Sequence, residues 1–287
     1  MNDNAEQLAA PITDPVYLNH FYTVLDTQTY KEIKESEFLR EEFATFEQRT
    51  TVRTDITYTG IYFYGTHTYF EFFEPGEYGR IEGACGIAFG VEAPGAGDRV
   101  RRRFESRAGK PAPDNLMTRR VDDKDLPWFH MVEFSYKDPA MKLSTWLMEY
   151  HEDFLSNWHP EFSPESRGIT RKEILERYVA KLCGHERRKG KYLDDVVEMT
   201  LALGDTEREL FIKGCEAFGY RVTGDKNRTT CDGPAIRYDV VEAANSPGVT
   251  SSIKMSLKRD KDGQRVYRFG GQSVLQFNGD RTATWSF

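Results

Sequence analysis

Two successive passes through one order of elements, strand, helix, strand, strand, strand, occupy residues 15–151 and restrict the fold more than any single motif does. The first begins with VYLNHFYTVLD (16–26), whose β-branched and aromatic side chains suit a pleated, half-buried surface. TQTYKEIKESEFLREEF (27–43) then places Tyr30, Ile33, Phe38 and Leu39 at helical spacing among Lys and Glu, with Asp26 or Thr27 positioned as the cap. Strands are predicted at ATFEQRTTVR (44–53), TGIYFYG (59–65) and TYFEFFEP (68–75), the last two joined by a tight GTHT turn. The second pass reads GACGIAFGVEA (83–93) as a strand, GAGDRVRRRFESRAG (95–109) as a helix, and NLMTRRVDD (115–123), PWFHMVEFSY (127–136) and LSTWLMEYH (143–151) as strands. Each copy is about 65 to 70 residues long, the mark of an internal repeat.

Beyond residue 152 the pattern lapses into a Pro- and Ser-containing stretch with one predicted helix near 170–183. There Ser166 or Thr170 can cap, and Ile174, Leu175, Tyr178, Val179 and Leu182 share a face. The order resumes with DDVVEMTLAL (194–203) as a strand and DTERELFIKGCEAFGY (205–220) as a helix. RVTG, AIRYDVVEA, GVTSSIKMSLKR, RVYRFGGQSVLQF and TATWSF follow as strand-like runs. This suggests a third unit extended by two strands. The expectation is an α+β fold of tandem β-α-β-β-β modules forming cupped mixed sheets, with a C-terminal module of similar type. Its divisions are a polar leader (1–14), a paired-module domain (15–157), a helical connector (158–191) and a C-terminal α+β domain (192–287).

Composition narrows the functions. With a net charge of -7 the chain repels phosphate backbones and anionic membrane surfaces, so nucleic acid is not an expected partner. RVRRRFESR (99–107) is the local exception and reads as a solvated helix face. The four cysteines, Cys85, Cys183, Cys215 and Cys231, are too scattered for a zinc knuckle or disulfide scaffold. No stretch approaches the roughly 20 apolar residues of a membrane span, and residues 1–15 lack a basic and apolar leader pattern. A cytoplasmic protein, with a homodimer possible, is the expectation.

The tandem order, the histidine of LNHFYTVL and the glutamate of TYFEFFEPG together resemble the vicinal oxygen chelate superfamily, the glyoxalase, bleomycin-resistance and extradiol-dioxygenase group. GACGIAFGVEAPGAGDRVRRRF also looks like that family's middle strand and helix, and the likeness is weaker over 190–287. It implies two modules curling into an open cup, with a divalent metal (Fe, Mn, Zn, Ni or Co) held by inward residues of the first and fourth strands of each. His20 and Glu71 match the first module's pair. Strand alternation supports the match, placing Leu18, His20, Tyr22 and Val24 on one face and Tyr69, Glu71 and Phe73 on one face. Taken alone, His20 reads equally as a core histidine and Glu71 as a solvent-facing acid opposite Phe70 and Phe72.

The second module departs from the pattern, because Gly86 falls where a second histidine belongs. Glu149 best matches the fourth-strand carboxylate, with His130 or His151 to close the set, although His130 beside Trp128 reads as a core or rim residue and His151 as a loop residue. Glu71 and Glu149 are the candidate acid–base groups. Tyr22, Tyr69, Trp128 and Trp146 are the candidate pocket walls. The resemblance implies a divalent-metal-dependent lyase, isomerase or dioxygenase acting on a small oxygenated metabolite. The alternative is a metal-free protein that binds or sequesters a small molecule, for which Gly86 is the main support. No nucleophile elbow, Walker loop, HExxH or dinucleotide fingerprint is present.

Overall fold

The computed structural model describes residues 14–53, 56–109, 113–121, 123–134, 141–159, 161, 163, 168–183, 190–243 and 248–287. The polar leader, Asp14 apart, lies outside them, as do His185 and Ser166. The first module comprises β1 (Tyr17–Val24), α1 (Thr27–Glu35), β2 (Thr45–Val52), β3 (Thr57–Tyr64) and β4 (Tyr69–Phe73). Asp26 caps α1, accepting from the Thr29 amide at 2.9 Å, and a short π-helical turn, Leu39–Phe43, leads into β2. The second module comprises β5 (Cys85–Gly90), α2 (Ala96–Ala108), β6 (Asn115–Val121), β7 (Lys124–Glu133) and β8 (Leu143–Tyr150).

Helices α3 (Glu152–Trp158) and α4 (Arg171–Cys183) follow. Thr170 opens α4 with a capping box: its amide and hydroxyl donate to Glu173, and its hydroxyl accepts from the Glu173 amide. The third module is β9 (Leu193–Leu203), α5 (Asp205–Phe218), β10 (Arg221–Gly224), β11 (Arg228–Gly233) and β12 (Ile236–Glu242). What the sequence suggested as a two-strand extension is instead a fourth set of strands without its helix: β13 (Thr250–Leu257), β14 (Val266–Phe269), β15 (Ser273–Phe277) and β16 (Thr282–Ser286). RVYRFGGQSVLQF splits at Gly270–Gly271 into two strands, and RTTCDG, too polar to read as a strand, is β11.

The modules pair into two curled mixed sheets of eight strands, ordered β2-β3-β4-β1-β5-β8-β7-β6 and β10-β11-β12-β9-β13-β16-β15-β14. In each sheet two modules meet through the antiparallel pairing of their first strands, β1 with β5 and β9 with β13. One face of each sheet contributes to a common core with α1, α2 and α5. Trp285 of β16 is fully buried there, 5.2 to 6.1 Å from the rings of Phe43, Phe63, Phe70 and Phe72. Thr23 donates to Thr250 across the sheets at 3.0 Å, and Tyr220 donates to the Val16 carbonyl at 3.0 Å. The other face of the first sheet is aromatic. Helix α4 lays Leu175 and Val179 against Tyr62 and Tyr64 on this face, while α3 packs beside Trp128 and Tyr150. Among the described residues no helix is long and apolar enough to cross a membrane.

Candidate functional site

Strand β1 carries a bulge. Leu18 pairs with Phe89 and His20 with Ala88, so Asn19 is the extra residue between two consecutive partners. The bulge reverses the alternation: Leu18 and Phe21 enter the common core, while His20 and Tyr22 turn to the aromatic face. The single face expected for Leu18, His20, Tyr22 and Val24 is therefore broken at Leu18. On β4, Tyr69, Glu71 and Phe73 share the face that receives His20.

His20 and Glu71 meet at the floor of a cavity of about 90 Å³, with Nε2 3.9 Å from Oε1. Both are buried, and the His20 ring is fixed on three sides. Nδ1 lies 2.9 Å from Asn19 Oδ1, Tyr69 stacks at 4.5 Å, and Trp146 meets the ring edge-on at 5.5 Å. Burial, aided by the Arg49 charge, lowers the imidazole to about 3, so it is neutral at physiological pH. Burial raises the Glu71 carboxyl to about 8 against the opposing influence of Arg49, Tyr62 and Arg80. The Tyr62 hydroxyl is buried and makes no hydrogen bond of ordinary length among the described residues.

All four predicted wall residues, Tyr22, Tyr69, Trp128 and Trp146, line this cavity, joined by Tyr58, Phe73, Phe129, Met131 and Met148. Sequence reasoning missed its cations. Arg49, Arg53 and Arg80 line it too, and Arg119 lies over the Trp128 ring at 5.3 Å. Arg49 stacks on Tyr62 at 4.1 Å and donates to Glu47 at 3.2 Å. Arg80 stacks on Tyr22 at 4.4 Å and donates to Ser144 at 3.1 Å. These arginines come from β2 (Arg49), the residue just after it (Arg53), the segment after β4 (Arg80) and β6 (Arg119), so no local cluster announces them. The available signal was that Arg49 shares strand parity with Glu47 and Thr51.

The remaining candidates are not brought to His20 and Glu71. Glu149 lies on the opposite face of β8 from Trp146 and Met148. There it accepts from the amides of Gly95 and Gly97 at 2.6 and 2.7 Å, capping α2. His130, on the matching face of β7, pairs with Asp114 at 2.8 Å. His151 caps α3 by accepting from the Asp153 amide at 3.2 Å, its ring 5.6 Å from that of His130. The alignment of Glu149 with Glu71 was three residues too late. Tyr22 pairs with Glu71 in one module and Ala88 pairs with Trp146 in the other, and Gly86 faces Tyr22 as Ala88 faces His20. Trp146 thus occupies the position equivalent to Glu71, and Gly86 that of His20.

The residues present do not fit a divalent ion. His20 and Glu71 supply two donors where such sites use three or more protein ligands, and among the described residues no three His, Cys, Asp or Glu side chains converge. The second half-site offers an indole and a glycine. A Cβ on Gly86 would fall 2.0 Å from the Tyr22 ring, so that ring fills the space a second imidazole would need.

The family model described as "Family of unknown function (DUF5829)" matches residues 18–287. The chain belongs to this family. Its match covers every strand of both sheets except the first residue of β1, so the cavity lies wholly within the DUF5829 region. No curated protein sequence matches the chain. Solved structures similar to this DUF5829 member include a hypothetical protein from Staphylococcus aureus, at TM-score 0.49 and 9% identity, covering 88% of this chain and 94% of that one. Another is a Mn(II)-bound glyoxalase from Novosphingobium aromaticivorans (TM-score 0.36, 8% identity, 83% and 64% covered). A third is BphC, a halotolerant catechol dioxygenase (TM-score 0.38, 10% identity, 92% and 80% covered).

Proposed function

We propose that the chain is a divergent vicinal oxygen chelate scaffold whose first sheet holds a metal-independent small-molecule site, with Glu71 as the proton-transfer group. The observation that carries this reading is the burial of Glu71 beside a neutral His20 at the floor of an aromatic cavity. A carboxyl kept protonated at neutral pH can donate a hydrogen bond or a proton to a ligand oxygen, and its ionised form can accept a proton from carbon. His20, held by Asn19 and Tyr69, stands beside the carboxyl as a fixed neutral wall, its Nε2 3.9 Å from Oε1. The paired modules, the antiparallel β1–β5 seam and the inward His20 and Glu71 support kinship with the superfamily. The half-site of Gly86 and Trp146 favours the metal-free form over the metal-dependent one.

The test is hydrogen exchange in D2O, followed by proton NMR, over a panel of small ketones, aldehydes and 2-oxo acids. The expected result is protein-dependent loss of a C–H signal next to a carbonyl, rising with pH towards a plateau above about 8 as Glu71 ionises. Glu71→Gln should abolish it and a chelator should not. Exchange that needs added metal would refute the metal-free site. Exchange that survives Glu71→Gln would refute the role of Glu71. Ligand binding without exchange would leave the binding-protein reading, in which the same cavity only sequesters.

A further inference from the structure

The cavity is lined by cations that the proton-transfer reading does not use. Arg49, Arg53 and Arg80 line it together with Glu71 and Glu133, and Arg49 is paired with Glu47 at 3.2 Å. Arg80 has the most informative position. Its guanidinium lies over the Tyr22 ring, Tyr22 lies over Gly86, and Gly86 pairs with Ser144, whose hydroxyl accepts from Arg80. A fixed cation therefore stands beside the half-site in which Gly86 and Trp146 replace the histidine and carboxylate of the first.

We propose that the cavity binds a small carboxylate with a flat apolar body, its anionic end on Arg80 and its body against the wall made by Tyr22, Phe73 and Trp146. This rests on the reading that the cavity is the ligand site. A planar guanidinium matches a carboxylate in two parallel hydrogen bonds, and stacking on Tyr22 with the bond to Ser144 orients it beforehand. Tyr22 meets Phe73 edge-on at 5.4 Å and Trp146 at 6.2 Å, so the three rings form one continuous wall against which a conjugated or aromatic body can lie. That wall disfavours a free phosphate, which needs polar partners on all sides. Size is also bounded, since an apolar cavity of about 150 Å³ accommodates one benzene ring and this one measures about 90 Å³. The cavity alone therefore encloses a short unsaturated acid, and a single-ring acid would keep part of its ring in the open mouth.

The experiment titrates the full chain with benzoate, benzamide, crotonate and inorganic phosphate by calorimetry. Benzoate or crotonate should bind, with benzamide weaker than benzoate by about tenfold or more, the worth of one charge-assisted pair. Arg80→Met keeps a side chain over Tyr22 and should cost benzoate about tenfold while leaving benzamide unchanged. Arg80→Lys should fall between, and Arg221→Met, which removes an exposed charge on the other sheet, should change nothing. The proposal is overturned if benzoate and benzamide bind equally, if Arg80→Met leaves benzoate untouched, if phosphate binds tighter than either acid, or if neither acid binds. Carboxylate binding lost in Arg80→Met but unaccompanied by C–H exchange refutes only the proton-transfer role. Exchange on neutral carbonyls without carboxylate binding refutes only the present inference.

Discussion

The Glu71 carboxyl lies 3.9 Å from Nε2 of His20, and burial holds both groups in their neutral forms. Folding stability then depends on pH in two opposed ways. His20 drops from 6.5 to about 3 on folding, so the unfolded chain takes up the proton first and stability is lost as pH falls from 6.5 towards 3. Glu71 rises from 4.5 to about 8, so the folded chain keeps a proton that the unfolded chain releases. Its contribution is full below 4.5 and lost as pH rises through 8. Together they place the pair's optimum between 4.5 and 6.5. Glu71→Gln is neutral at every pH. In urea melts its stability relative to wild type should therefore climb between about pH 5 and pH 9, by up to a few kcal/mol. Parallel pH curves for the two proteins would show that Glu71 titrates normally.

Gly86 is where the Tyr22 ring rests, and the register makes that contact a consequence of the β1–β5 seam rather than of a flexible loop. Gly86→Ala must push a ring that is itself packed on Phe73 and Trp146. A loss of about 1 to 3 kcal/mol is expected. Tyr22→Ala opens the space, so in a double-mutant cycle the added methyl should cost about 1 kcal/mol less in that background. Strict additivity would mean that the ring does not fill the position.

The first module was legible because β-branched and aromatic residues are concentrated in short runs, and because Asp26 and the GTHT turn punctuate them. The Asn19 bulge was not, since one inserted residue leaves no mark on composition yet turns Leu18 to the core and His20 to the cavity. Glu149 misled for a related reason. It follows Trp146 by three residues on a strand, an odd step that changes face, while its position near the end of LSTWLMEYH resembled that of Glu71 in TYFEFFEP. Arg49 and Arg53 reach the cavity from the end of β2 and Arg80 from the segment after β4, so no short sequence window holds all three. The last four strands hid their modular nature by omitting the helix that marked the other three.

Glu149 caps α2 through two backbone amides, and Gly97 has no room for a side chain beside it, a Cβ there falling 2.8 Å from Oε2. Its negative charge also faces the positive end of the helix. Glu149→Ala is expected to lower stability by about 1 to 2 kcal/mol while leaving ligand titrations of the cavity unchanged, because the side chain lies on the other face of β8. A change in binding with unaltered stability would reassign Glu149 to the site.

Arg171 ties α4 to the strand that carries His20. It is buried, stacks on Tyr17 at 4.1 Å, donates from Nε to Glu92 at 3.0 Å and reaches the Leu18 carbonyl at 2.6 Å, just before the bulge. Removing the guanidinium takes a donor from the Leu18 carbonyl and leaves the partly buried Glu92 carboxylate with the Arg171 amide alone. The penalty for breaking a fully buried pair, about 3 to 5 kcal/mol, is reduced here because Glu92 is partly exposed. Arg171→Met should therefore destabilise the chain by about 2 to 3 kcal/mol. The loss should appear in hydrogen exchange as faster exchange along α4 and at Asn19 and His20, with the second sheet still protected. Arg171→Lys should recover little, since an ammonium group cannot span both acceptors from one planar fork. Uniform loss of protection over both sheets would instead mean that α4 and β1 open only with the whole molecule.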